Sequence, residues 1–234
     1  MTDIELEIAN RVARITINRP ERHNALDIAM IDAFHAALDK VSADKSARVL
    51  EIRARGASFC AGADINWMRR MAEYDAASNI ADAKRLAGLF EKIAFSPLPT
   101  IVAINGPAYG GGIGIIAACD FAIAVPQADF VLSEVKLGLI PAVISPHIIR
   151  AIGAHAAKRL FLSGRKFDAA EAERLGLVAE IVAEVKTLNP SALYILDPVI
   201  GDQGTMYVKP ALAAALADIL VPIADVLLPN VYEL

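Results

Sequence analysis

The chain predicts an α/β fold of layered strands and helices, and three observations carry that prediction. Stretches with strand and helix periodicity follow one another in the order strand-strand-helix, strand-helix, strand-helix. The unusual residues, glycine clusters above all, fall in loops after strands, where open α/β sheets hold their ligands. With 234 residues, 56% of them apolar, the chain can bury a full core as one large domain or two small ones.

Ile4 to Ile8 and Val12 to Asn18 alternate by twos around Asn10-Arg11, which predicts a β-hairpin. After NRPERHNALD, Ile28, Ile31, Phe34 and Leu38 recur at helical spacing with Asp27 as N-cap. Val49 to Arg53 reads as a buried strand that runs into the loop ARGASFCAGADI. The Ala-rich, amphipathic stretch Asp75 to Phe95 predicts a long helix stopped by Ser96 to Pro99, and Thr100 to Ile104 a further buried strand. An apolar run then passes Asn105-Gly106-Pro107 and the triplet Gly110-Gly111-Gly112, leaving as a small-residue helix toward Asp120. Phe121 to Val125 and Phe130 to Leu132 read as short strands, and Pro146 to Leu162 and Asp168 to Leu175 as helices.

Composition narrows the function classes. A net charge of −4 gives no positive field for nucleic acid, and the basic clusters Arg11 to Arg22 and Arg69-Arg70 are short. Two cysteines, Cys60 and Cys119, make neither a disulfide framework nor a zinc site, and no metal is expected. Asp3, Glu5 and Glu7 stand where a secretion signal would be basic and then apolar, which predicts a cytoplasmic protein. Ile93 to Cys119 is uncharged and long enough for a membrane span, but Pro97, Pro99, Pro107 and its glycines predict buried core instead.

Two glycine-bearing loops stand out together, Cys60-Ala61-Gly62-Ala63-Asp64 and Gly110-Gly111-Gly112. Bare backbone ahead of a helix fits an anion or oxyanion site, since the first helical N–H groups lack internal partners. It fits a tight strand-to-helix crossover as well. Glu134, a lone carboxylate between apolar runs, suits proton transfer if burial raises its pKa, or simply the start of a helix. Cys60 reads as a buried small residue, Asp64 and Asp120 as backbone caps, and His35, His147 and His155 as non-catalytic.

The ordered stretches NRPERHNALD, FCAGADINWM, INGPAYGGGIGIIAACD, SEVKLGLIPAVISP and GRKFDAAEAERLGLV resemble the crotonase (enoyl-CoA hydratase/isomerase) superfamily over about residues 3–183. Among its groups they look most like methylglutaconyl-CoA hydratases. The resemblance implies a crotonase-like ββα spiral over residues 1–184 and an acyl-CoA thioester substrate, with CoA as part of the substrate and no separate cofactor. It also implies an oxyanion hole from the N–H groups of Ala61 and Gly111. Glu134 matches the acid/base, and Arg22, His23, Ala25, Ala63, Asp64 and Ile65 lie along the substrate and its CoA. A homotrimer or dimer of trimers is implied too. The second hydratase glutamate falls at Gly114, and a glycine cannot move a proton. Either Glu134 works alone with a water, as in single-base isomerases of the superfamily, or another group substitutes, or the chain binds acyl-CoA without turnover.

Residues 185–234 depart from that pattern. NPSALYILDPVIGD and ADVLLPNVYEL resemble an internal piece of pyridoxal kinases of the ribokinase-like group. The likeness implies a foreign α/β fragment with a strand at Ala192 to Leu196 and a helix opened by Pro210. Asp197, Asn230 and Glu233 would face metal-bound nucleotide. That family's substrate half and glycine-rich phosphate site have no counterpart, so a chimera joined near residue 184 is expected and kinase activity is not. A loose tail would expose Ile219, Leu220, Val221 and Val226 to Leu228.

Overall fold

A computed structural model describes residues 2–181 and, beyond them, the strand residues 195–196, 201–202, 205–206 and 226–227. The expected hairpin opens it: β1 (Ile4–Ala9) pairs antiparallel with β2 (Val12–Ile17). Asn10 and Arg11 both take positive φ, 49° and 66°, the left-handed pair that a two-residue turn needs to match strand twist. Ala13, Ile15 and Ile17 are fully buried, whereas Arg14 reaches out to Glu51 at 2.8 Å.

Helix α1 (Ile28–Ala43) begins where expected, with the Asp27 carboxylate accepting the Met30 N–H at 3.0 Å. Its buried stripe of Met30, Ile31, Phe34, Leu38 and Val41 returns the chain to β3 (Val49–Ala54), which lies parallel to β2. Asp64 then caps α2 (Ile65–Met71), a short helix with no counterpart in the sequence reading. Asp75 caps α3 (Ala76–Ala94), as predicted to within a residue.

β4 (Thr100–Ile104) pairs with β3, β5 (Ala108–Tyr109) steps into a second layer, and α4 (Gly111–Ala118) follows at once. The uncharged run Ile93 to Cys119 thus divides into the end of α3, two strands and a buried helix. Among the described residues no helix is long and apolar enough to cross a membrane. β6 (Phe121–Ala124) returns to the first sheet and β7 (Asp129–Val131) to the second.

The stretch predicted as one helix from Pro146 to Leu162 is two, α5 (Ser145–Ile152) and α6 (Ala154–Ser163). Gly153 separates them at φ 76° and ψ 156°, a conformation that no helix can pass through. β8 (Lys166–Asp168), α7 (Ala169–Leu175) and β9 (Glu180–Ile181) complete this part of the chain.

The first sheet has the order β1-β2-β3-β4-β6-β9, parallel from β2 onward, with its crossovers made by α1, by α2 and α3, and by α4. The second has the order β5-β7-β8. Single bridges Cys60–Ala108 and Leu26–Ala63 carry that second layer outward into both glycine-bearing loops. Strand to first sheet, strand to second, helix back is the ββα repeat, and it stacks successive loops at one end of the parallel strands.

The chain divides into two compact units, Met1–Val182 and Ala183–Leu234. In the second, β10 (Ile195–Leu196) pairs parallel with β13 (Val226–Leu227), and β11 (Gly201–Asp202) pairs antiparallel with β12 (Thr205–Met206). The helix expected at Pro210, the residues Asp197, Asn230 and Glu233, and the apolar run Ile219 to Val221 lie outside the described residues.

Candidate active site

The two glycine loops meet. Tyr109 donates its N–H to the Cys60 carbonyl at 2.8 Å, and Gly62, at φ 86°, sits where an added Cβ would come within 3.0 Å of the Tyr109 carbonyl oxygen and 3.6 Å of the Gly111 nitrogen. Glycine at residue 62 is thus demanded twice, by its left-handed backbone and by the approach of the neighbouring loop.

Each glycine loop leaves a backbone donor without an acceptor among the described residues. Gly111 opens α4, and among the described residues neither a capping side chain nor a carbonyl takes its N–H. The second is Ala63, not the expected Ala61. Ala61 donates to the His23 carbonyl at 2.9 Å, so its N–H is spent inside the protein. Leu26 gives its N–H to the Gly62 carbonyl at 2.7 Å and accepts from the Asp64 N–H at 2.8 Å. In such a parallel bridge the residue between the two partners turns its own N–H and C=O to the opposite side. That residue is Ala63, and among the described residues nothing accepts its N–H.

Glu134 stands at the same loops. It opens a short 3₁₀ turn, Glu134–Leu137, after Ser133, so the helix-start reading of its position also holds. An added Cβ on Gly110 would lie 3.2 Å from Glu134 Oε1 and 4.0 Å from the Gly62 Cα, which fixes the carboxylate against both glycine loops. Glu134 Oε2 is buried with no hydrogen-bond partner among the described residues. Burial pushes its pKa above the ordinary glutamate value, only partly countered by a hydrogen bond from its own backbone N–H. A half-buried carboxyl without a cation beside it is ready to exchange a proton with whatever enters.

Gly114 lies one turn along α4 and is fully enclosed. A Cβ there would meet Ile144 Cγ2 at 2.5 Å and the Phe90 ring at 2.9 Å. The space beside Gly114 is therefore occupied by hydrocarbon. No second carboxylate fits there, and no other acid stands in its place among the described residues.

The remaining expected residues separate into two groups. Arg22 ends a 3₁₀ turn, Pro20–Arg22, and its exposed side chain has no partner among the described residues; Ile65 is 65% exposed at the start of α2. Both are open to a ligand. His23, at φ 50°, contributes its carbonyl to Ala61 and its ring Nδ1 to a 3.0 Å contact with Ser58 Oγ. Ala25 and Asp64 are more enclosed, and Asp64 is a correction. Ala25 is buried, and its N–H goes to the Arg22 carbonyl. Asp64 is 7% exposed, with one oxygen on the Asn66 and Trp67 N–H groups and the other on Arg19, so its carboxylate is not free for a ligand.

Other groups singled out in the sequence are held in local contacts. Cys60 is buried, and desolvation pushes its thiol up to about 12, far from a nucleophile at neutral pH. His35 gives its Nε2 hydrogen to the Arg85 carbonyl at 2.9 Å, and the His147 ring packs on Phe90 with centroids 5.9 Å apart.

The enoyl-CoA hydratase/isomerase family matches residues 7–216, running past residue 184 into the segment read above as foreign. A crystal structure of an enoyl-CoA hydratase from Shewanella pealeana superposes with a TM-score of 0.78 at 40% identity, covering 81% of this chain and 72% of that one. The enoyl-CoA isomerase/hydratase fer4 of Mycosarcoma maydis is 36% identical over 180 residues, 73% of this chain and 65% of that protein. The mitochondrial enoyl-CoA hydratase domain-containing protein 2 of Mus musculus is 37% identical over 175 residues, of which it is matched over 58% of its own length. On the family match and these likenesses together, the chain belongs to the enoyl-CoA hydratase/isomerase family and has its α/β crotonase-like fold.

Proposed function

We propose that the protein binds an enoyl-CoA thioester with its carbonyl oxygen between the N–H groups of Ala63 and Gly111, and that Glu134 is its only acid/base. The observation that carries this reading is the unpartnered, buried Glu134 oxygen at the junction of two glycine loops that each offer a free backbone donor. Donors aimed at a carbonyl that becomes an enolate stabilise the negative charge as it develops. Arg22 is placed to meet phosphate of the CoA, and Ile65 to be covered by it. CoA enters as part of the substrate, and no further cofactor is required.

Hydration of a short or branched enoyl-CoA, such as methylglutaconyl-CoA, is the first reading: Glu134 takes a proton from the water as its oxygen adds to the β-carbon, and returns that proton to the α-carbon of the enolate. The wall of Phe90 and Ile144 at Gly114 favours a second, in which Glu134 carries one proton between the α- and γ-carbons and moves the double bond. Products decide. With crotonyl-CoA, a hydratase converts the conjugated alkene to a hydroxyacyl-CoA and its absorbance falls; with a β,γ-enoyl-CoA, an isomerase generates conjugation and absorbance rises. Binding of both without either change would leave an acyl-CoA binder.

The likeness of residues 185–234 to pyridoxal kinases supports a join near residue 184, and the family match through residue 216 weighs against it. The sequence of the source locus and the intact mass of the protein test it. A homotrimer or dimer of trimers is the assembly proposed, read out by light scattering.

A further inference from the structure

The Leu26–Ala63 bridge that turns the Ala63 N–H away from Leu26 is a single rung between two loops, with no regular ladder around it. A second rung, made of side chains, lies directly beside it. Asp27 follows Leu26 and Asp64 follows Ala63, and the guanidinium of Arg19 joins the two. Nη1 is 2.7 Å from Asp27 Oδ2, and Nη2 is 2.7 Å from Asp64 Oδ2. Each aspartate spends its other oxygen on capping a helix, Asp27 on the Met30 N–H of α1 and Asp64 on the Asn66 and Trp67 N–H groups of α2. Arg19 is itself 8% exposed, and its own loop is pinned: its N–H donates to Asn24 Oδ1 at 2.8 Å and its carbonyl accepts the Asn24 N–H at 3.0 Å.

We propose that Arg19 is a positioning residue for catalysis, its two-pronged guanidinium locking the N-termini of α1 and α2 together so that the Ala63 N–H is held at the distance from Gly111 that a thioester oxygen requires. The inference rests on the acyl-CoA reading above and adds the residue that keeps one of its two donors in place. Surface ion pairs contribute little, but the Arg19 guanidinium is enclosed and holds Asp27 and Asp64 each at 2.7 Å in a geometry that a planar fork satisfies, with Asp3 more distant at 3.8 Å. Lysine keeps the charge and cannot reach both carboxylates with the same geometry. A donor displaced by a fraction of an ångström still lets the CoA bind and fails only when charge develops on the oxygen.

The test separates position from stability. Butyryl-CoA, saturated and therefore neither hydrated nor isomerised, serves as the probe, and the infrared C=O stretch of its bound thioester reports polarisation by the two N–H groups. In wild type the stretch moves to lower frequency than in water. In Arg19→Lys most of that shift is lost and kcat for the enoyl-CoA substrate falls about ten- to a hundredfold, while KM changes by less than about threefold. Asp27→Asn, which keeps the helix cap and weakens the fork, shows the same split to a smaller degree and covers the case in which Arg19→Lys does not fold. A shift and kcat that stay at wild-type values in folded Arg19→Lys or Asp27→Asn overturn the positioning role and leave the acyl-CoA reading standing. A wild-type protein that binds butyryl-CoA with no shift at all overturns the reading and the positioning role together.

Discussion

Replacing Glu134 by Gln is expected to lower kcat by roughly two to four orders of magnitude, the range for loss of a positioned general acid/base, while butyryl-CoA binds within about threefold of wild type. The expectation follows from what the structure gives the carboxylate and what it withholds. Among the described residues Glu134 has no ion-pair partner, one oxygen without a hydrogen bond, and no second acid at Gly114 to take over its proton. The amide fills the same space and keeps the loop packing, so binding through Arg22 and the two backbone donors survives. Turnover of Glu134→Gln at the wild-type rate would remove this residue from the mechanism.

The same residue sets two pH dependences of opposite benefit. To take a proton from carbon or water, Glu134 has to start ionised, so kcat/KM rises with pH through a midpoint above the ordinary glutamate value of 4.5, and the limb disappears in the Gln variant. For stability the sign reverses. Folding raises this pKa through desolvation, so folding favours the neutral form. That contribution is fully present below the unfolded value and is lost as the pH rises through the folded one. Glu134→Gln, neutral throughout, is therefore expected to melt at higher temperature than wild type at neutral pH, with the difference shrinking in acid. A site poised for proton transfer is commonly a site held at some cost in stability.

Elements were legible where local chemistry decides them. Asp27, Asp75 and Asp168 cap helices that each carry an apolar stripe, and Asn10-Arg11 separates two alternating runs; all of this is written within ten residues. INWMRRM is too short to show a period, so α2 was not legible, and its existence rests on the Asp64 cap and on Trp67 buried beneath it. The stretch from Pro146 to Leu162 keeps helical spacing through Gly153, where only the backbone conformation shows the break. Of the second sheet only β7 was legible, in Phe130 to Leu132; β5 and β8, of two and three residues, are below the length at which alternation is readable.

At the site, residue types were legible and geometry was not. The sequence offers Ala61 and Ala63 symmetrically about Gly62, and nothing local says which N–H is free. The choice is made by the His23 carbonyl and the Leu26 bridge, from a loop almost forty residues upstream in each case. Arg19 was invisible for the same reason: its partner Asp64 is a neighbour only after β2, α1 and β3 have packed.

Gly114→Glu, the substitution that restores the second hydratase carboxylate on paper, is expected to destabilise the protein by about 3 kcal/mol or more and to leave the hydration rate no higher than wild type. Smaller changes fix the direction. On an exposed helix Gly→Ala gains about 1 kcal/mol of propensity, whereas forcing a methyl into a packed core costs about 1–3 kcal/mol. At residue 114 that methyl already comes within 2.5 Å of Ile144 and 2.9 Å of Phe90, so overpacking outweighs propensity before any carboxylate is added. A glutamate adds a charge with hydrocarbon on the side where its partner or water should be. Trimming Phe90 to Ala would open room but removes a fully buried aromatic, itself worth about 3–5 kcal/mol against a total stability of about 5–15 kcal/mol. The second carboxylate is therefore not one substitution away: Phe90 of α3 and Ile144 ahead of α5 are packed where it would stand, which is what the proposed reliance on Glu134 alone requires. Thermal melts of Gly114→Ala and Gly114→Glu beside crotonyl-CoA hydration rates test this directly. A Gly114→Glu protein that melts with wild type and hydrates faster would show that the wall yields and that the single-carboxylate site is incidental.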